Sequence, residues 1–129
     1  MNGVDMGTEK AKVPGFYGTD LRGVDLQGAD LRKARLMNAI LLGANLQGAN
    51  LADAILLDAN LQGANLRNAN LECAVLNGAS LQDVNLEGAN LHFADFTYAN
   101  LQGATVTYEQ LATTPFLKGA VMPDGTIHK

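Results

Sequence analysis

Glu72, Cys73 and His92 are the residues of this chain whose types could do chemistry together. A carboxylate, a thiol and an imidazole form a zinc-ligand set, and the repeat described below places His92 directly above Glu72, with Cys73 at the adjoining corner. Three such groups on a convex surface, without a fourth ligand or an enclosing shell of partners, make a poor metal site, so a surface His and Glu pair is expected and no metal. The carboxylates Asp20, Asp25, Asp30, Asp53, Asp58 and Asp95 are spread along the chain rather than gathered. No Ser, His and Asp arrangement, phosphate loop or metalloprotease motif occurs. With nothing concave to hold a substrate, the sequence predicts no catalytic residue, no cofactor and no small-molecule substrate: it does not read as an enzyme.

Composition narrows the classes further. The 129 residues carry a formal charge of −4, which argues against nucleic-acid and anionic-membrane partners, since both favour a cationic face. Cys73 is the single cysteine, so no intrachain disulfide forms and a reducing compartment fits. No apolar run reaches signal-peptide or membrane-spanning length, and a cytoplasmic, soluble protein is expected. The chain is 47% apolar but only 5% aromatic, with no Trp. One core built of Leu and Ala follows, in one domain.

The elements that position these residues come from an internal repeat. From Leu21 to Leu91 every fifth residue is Leu, and Phe96, Leu101 and Val106 extend the series to eighteen units without a slip. Two residues before each stands Ala, replaced only by Thr19, Val24 and Val84. The consensus is A-(N/D)-L-x-G. On a helix, successive leucines would rotate by ~140° and share no face. In a straight strand they would alternate sides. The chain must therefore turn within each unit, with Ala and Leu inward, Asn or Asp outward, and Gly or Asx at a corner. Lys33, Asp53, Asp58 and Asp83 at the Gly position leave type I and type II turns both open.

Departures from consensus recur at twenty residues: Arg35, Ile55 and Val75 replace the outward Asx, and the glycines at 23 and 28 return at 43 and 48. Four sides per coil follow. Eighteen units make about four and a half coils, a shaft of about 22 Å at strand spacing. The columns Asn45, Asn65, Asn85 and Asn50, Asn70, Asn90 are expected to hydrogen-bond along the stack. Caps should close the ends: Pro14, Phe16 and Tyr17 below; above, a short helix started by Thr107 through Glu109, Gln110 and Leu111, with Phe116, Leu117, Val121 and Met122 over the last coil and a Pro123–Gly125 turn. Phe93, Tyr98 and Tyr108 read as corner aromatics packed under that cap.

Residues 19–108 closely resemble the pentapeptide-repeat family. The resemblance implies an all-β fold, a right-handed quadrilateral β-helix (β-solenoid), here with an N-terminal extension or cap at 1–18 and a short helical and loop C-terminal cap at 109–129. The tail from Leu117 to Lys129 looks like that of cyanobacterial members. A rigid shaft whose outward columns can vary without touching the core suits a protein-interaction or structural module, the first of two roles; the second, a DNA-shaped regulator of type II topoisomerases, is what the family resemblance implies. Charge opposes the second, since a 22 Å stretch of duplex carries about thirteen negative charges. For the first, the exterior offers one candidate surface. Met37, Ile40, Leu42, Ile55, Leu57 and Val75 put aliphatic side chains where polar ones are usual, forming a patch of roughly a few hundred Å². It is expected to meet an unknown protein partner or a second copy of the chain.

Overall fold

The computed structural model describes residues 17–129. Pro14 and Phe16, expected in the lower cap, lie outside them. Tyr17 is half exposed.

The chain coils with a rise every twenty residues. Parallel bridges join each outward residue to the one twenty later, from Asp20 with Ile40 to Asn85 with Thr105. These residues define four faces. Asp20, Ile40, Asn60, Ser80 and Asn100 centre face 1; Asp25, Asn45, Asn65, Asn85 and Thr105 face 2; Asp30, Asn50, Asn70 and Asn90 face 3; Arg35, Ile55, Val75 and Asp95 face 4. Each side of the coil contributes one bridging residue rather than a longer strand, because the turns occupy the other four of every five. Inside, Leu and Ala from the four faces are 0–1% exposed over most of the shaft. Phe96 replaces Leu in the same register and is fully buried. Burying each leucine contributes about 1.5–3 kcal/mol, repeated on every side of every coil.

One unit shows why the consensus has its form. Asn45 N–H donates to Val24 C=O in the coil below (2.9 Å), while Leu46 and Gly48 N–H donate to Asn65 and Arg67 C=O above (both 2.8 Å). Ala49 N–H closes the turn on Leu46 C=O at 3.0 Å. That leaves Gln47 N–H, inside the turn, and it donates to the Asn45 side-chain oxygen at 3.1 Å. Every backbone donor of the unit is thus satisfied. The outward Asx is required less by its neighbours in the stack than by the N–H two residues ahead of it, and twelve described turns are closed in this way.

All corners are alike. Every fifth residue from 18 to 103 has positive φ, between 56° and 75°, and the residue before it does not. One positive φ at the third turn position is the type II pattern, so no mixture of turn types occurs along the shaft. Lys33, Cys73, Phe93 and Tyr98 adopt it as well as the glycines do, held there by the ladder on both sides. At Gly78 the missing side chain leaves the space into which Asp58 Oδ1 folds from the corner below.

The upper end breaks the repeat. Thr107 caps α1, Tyr108–Leu111, with a capping box to Gln110. Beyond it the register is longer by one residue: Asn100 bridges Val121. Three devices then end the ladder. Gln110 Nε2 donates to Ala89 C=O (3.0 Å), which lower in the shaft would pair with the next coil, and to Leu86 C=O (2.7 Å), which also closes its own turn on Ala89 N–H. The Thr114 hydroxyl donates to Ala94 C=O at 2.6 Å and accepts Phe116 N–H at 3.2 Å, standing between groups that would pair directly lower in the shaft. Thr114 is the one buried polar side chain among the described residues. Finally the tail reverses at Pro123–Gly125, and 126–128 runs antiparallel along 119–122, with Met122 N–H on Thr126 C=O and His128 N–H on Ala120 C=O. The exposed edge is covered by the chain's own end. Among the described residues no helix is long and apolar enough to cross a membrane.

Candidate interaction face

The faces share backbone and core and differ in what they present. Face 3 is polar throughout. Asn70 Nδ2 donates to Asn50 Oδ1 at 3.4 Å and Asn90 Nδ2 to Asn70 Oδ1 at 3.3 Å, while each oxygen also closes its own turn. The second expected ladder, on face 2, does not form. Asn65 Nδ2 reaches Gln47 Oε1 instead, at 3.3 Å, and Asn45 Nδ2 reaches down to Asp25 Oδ1 at 3.4 Å.

His92 stacks over Glu72, with Cys73 N–H donating to His92 C=O. Its ring turns away from a shared site: Nδ1 lies 2.6 Å from Asn90 Oδ1. Among the described residues no three His, Cys, Asp or Glu side chains converge on a metal position.

Low on the shaft, charges pair locally. Asp20 and Asp30 hold Arg22 and Arg32 at 2.6 and 2.7 Å. The hydrogen bonds from the Arg22 side chain and backbone N–H keep the Asp20 carboxyl below its ordinary value of 3.8. At the top, the Thr126 hydroxyl and N–H do the same for Asp124.

Face 4 is the exception. Its central column reads Arg35, Ile55, Val75, Asp95, each bridged to the next. Met37 lies beside Leu57 at the following corner, where Asn38 N–H donates to Leu57 C=O. The structure therefore gathers Met37, Ile55, Leu57 and Val75 on one surface. Ile40 and Leu42 lie around the corner on face 1, with polar Asn60 and Gln62 directly above them. Only Leu57 of the six is classed as exposed, at 39%; the others are half-buried, so the patch is flatter than full side chains would make it.

Replacing Asx with Ile or Val has a backbone consequence. Leu57 and Asn77 N–H, the donors an Asx at 55 or 75 would satisfy, have no intrachain acceptor among the described residues. Face 4 thus forgoes, in two successive coils, a hydrogen bond worth about 0.5–1.5 kcal/mol.

Aromatics extend the same face upward. Phe96 N–H donates to Phe116 C=O, the bond that Leu76 makes to Asp95 one coil lower, so Phe116 stands over Asp95. Phe93 and Tyr98 occupy the flanking corners, 57% and 65% exposed. Tyr98 does pack against the cap, its ring lying on Gly119 where a Cβ would collide with it. Tyr108, expected at a corner, is instead the first residue of α1 and is 78% exposed. Phe116, expected over the last coil, comes to stand on face 4 because the residue added at the helix shifts everything after it, a shift that five-residue counting does not carry. The signal that finds it is the 21-residue pairing of Asn100 with Val121.

A stack of four-sided coils with a core of small and aliphatic side chains, five residues to a side, defines a class of β-solenoid proteins. A family model for pentapeptide repeats matches residues 16–53, 44–83 and 74–107, and the chain belongs to that family. Among solved structures it is similar to a pentapeptide repeat protein, Rfr23, from the cyanobacterium Cyanothece 51142, at 46% identity and a TM-score of 0.56, over 57% of this chain and 50% of that one. This chain thus matches half the length of that protein. HetL, a pentapeptide repeat protein involved in heterocyst differentiation regulation from the cyanobacterium Nostoc sp. strain PCC 7120, is 35% identical over 87% of this chain and 67% of its own, with a TM-score of 0.44. QnrB1, a plasmid-mediated fluoroquinolone resistance protein, shares the fold at 19% identity and a TM-score of 0.59, over 93% of this chain and 61% of its own. No curated protein matches the chain.

Proposed function

We propose that this protein is a non-enzymatic interaction module that presents face 4 to a protein partner, with Ile55, Leu57 and Val75 at the centre of the contact. The observation that carries the reading is the exchange made there: the residue type that completes the turn is replaced by Ile and Val in adjacent coils, leaving apolar side chains outward and two turn donors without a chain acceptor among the described residues. Stability alone favours Asn at both places, since twelve other turns use Asx in that role. A contiguous apolar strip flanked by polar faces is the surface type that meets other proteins. The fold's rigidity assists, because a partner need order no loop.

Mimicry of duplex DNA finds no support in the charge distribution. The lower carboxylates Asp20 and Asp30 are already paired with arginines, and a phosphate mimic requires an unbroken anionic track.

The test is affinity capture from native lysate by the wild type, by Ile55→Asp with Leu57→Asp, and by Asn70→Asp on face 3. A protein retained by the wild type and the face 3 variant but lost from the double variant is the expected result. Partners retained equally by all three would overturn the assignment to face 4.

A further inference from the structure

Building on the interaction reading above, we propose that face 4 pairs with a second copy of this chain, docked antiparallel about a two-fold axis lying across the face midway between Ile55 and Val75. The argument lies in the order of one column. Arg35, Ile55, Val75 and Asp95 follow one another upward, each bridged to the next. Read against its own reverse, this column sets Arg35 opposite the partner's Asp95 and Ile55 opposite the partner's Val75, and then repeats both contacts by symmetry. Apolar residues occupy the middle, and an ion pair closes each end. A parallel two-fold arrangement of the same face would set Arg35 on Arg35 and Asp95 on Asp95, which charge forbids. The columns of faces 1, 2 and 3 end on Asp20 and Asn100, Asp25 and Thr105, and Asp30 and Asn90. None carries opposite charges at its two ends, so self-complementarity is particular to face 4.

Both charged groups can reach outward. Thr97 N–H and Oγ1 both bond Asp95 Oδ1, at 3.0 and 2.5 Å, leaving Oδ2 without an intrachain hydrogen bond among the described residues. A guanidinium has five donors, enough to keep its own contacts and still accept a carboxylate across an interface. Beside the central column, Leu57 stands opposite the partner's Asn77 and Met37 opposite the partner's Thr97, contacts that add area more than selectivity.

Area sets the strength. Four coils at about 4.8 Å and a face roughly 15 Å wide bury about 300 Å² per copy, well under the ~800 Å² per partner of a stable complex. The dimer is therefore weak, with a Kd of roughly 10 µM to 1 mM, and forms when the chain is concentrated or held near a second copy.

Sedimentation equilibrium from about 10 µM to about 3 mM tests this, bracketing the estimated Kd. The wild type should show a monomer–dimer equilibrium. Arg35→Asp and Asp95→Arg should each weaken it at least ~10-fold, because like charges then oppose each other at both ends. An equimolar mixture of the two variants should recover wild-type association, since every cross-pair again joins opposite charges. Recovery on mixing also shows that neither variant failed through misfolding. Equal dimerisation by all samples, or no recovery on mixing, would overturn the antiparallel pairing. A wild type that stays monomeric throughout would overturn self-association, while capture of a different protein dependent on Ile55 and Leu57 would still stand as a separate result.

Discussion

Faces 3 and 4 are adjacent sides of the same coils, with the same buried Ala and Leu, the same type II corners and the same bridges, and they differ in the residue between. Face 3 uses Asn50, Asn70 and Asn90, each oxygen closing its own turn while each amide above reaches the oxygen below. Face 4 uses Ile55 and Val75, so its turns keep the backbone bond but, among the described residues, Leu57 and Asn77 N–H lack the side-chain acceptor. The difference separates two kinds of information carried by one repeat. Inward residues specify that a coil forms, and the outward residue is constrained only by one backbone N–H, which water can satisfy at modest cost. A surface of this kind is open to replacement one side chain at a time.

If the core is indifferent to the face it comes from, Leu51→Ala beneath face 3 and Leu56→Ala beneath face 4 should cost alike, about 3 kcal/mol each. Both leucines are fully buried. Chemical denaturation checks this, and a gap wider than about 1 kcal/mol would break the comparison, because it would mean that the outward chemistry reaches the packing. The exchange of outward residues is the sharper test. Asn70→Val should cost about 1–2 kcal/mol through the freed Glu72 N–H and two lost amide contacts. Ile55→Asn should raise stability by about 0.5–1 kcal/mol and abolish the association of face 4. A destabilised Ile55→Asn protein would refute the claim that this face sacrifices stability. The smallest effect concerns acid. Asp20, which centres face 1, has its folded-state pKa held below 3.8 by Arg22, so its stabilisation is complete above that value and fades as pH falls through the lowered one. Thermal melts between pH 5 and pH 2 should show the Asp20→Asn variant losing less than the wild type, and identical acid limbs would dismiss the contribution.

The five-residue spacing of Leu21 to Val106, with exceptions recurring at twenty, made the coil legible because nearly every inward position holds Ala or Leu, with Phe96 the one buried aromatic among the described residues. The positions of Met37, Ile55, Leu57 and Val75 on one face follow from the same arithmetic. Turn type was not legible, since Lys33 and Phe93 have no intrinsic preference for positive φ and adopt it only because the ladder on either side leaves no choice. Nor was the purpose of the outward Asx. Its stacking neighbours are visible in a sequence, but the N–H two residues ahead comes within reach only after the corner has formed. Phe116 was legible as part of the cap, but its place above Asp95 was not, for a third reason: α1 inserts one residue, and periodic counting carries no memory across an insertion.

Four sides to a coil also fix the grammar by which such a chain can change. Gain or loss of twenty residues within the shaft adds or removes a storey and leaves every face intact. Gain or loss of five keeps the ladder as well, because every unit offers the coils above and below the same backbone groups, yet it rotates everything above by a quarter turn. An insertion of one unit between Ile55 and Val75 would leave the core continuous and move Val75 and Asp95 onto the neighbouring face. A surface could thus be dismantled or newly assembled by the gain or loss of one five-residue unit without the fold registering that anything had happened.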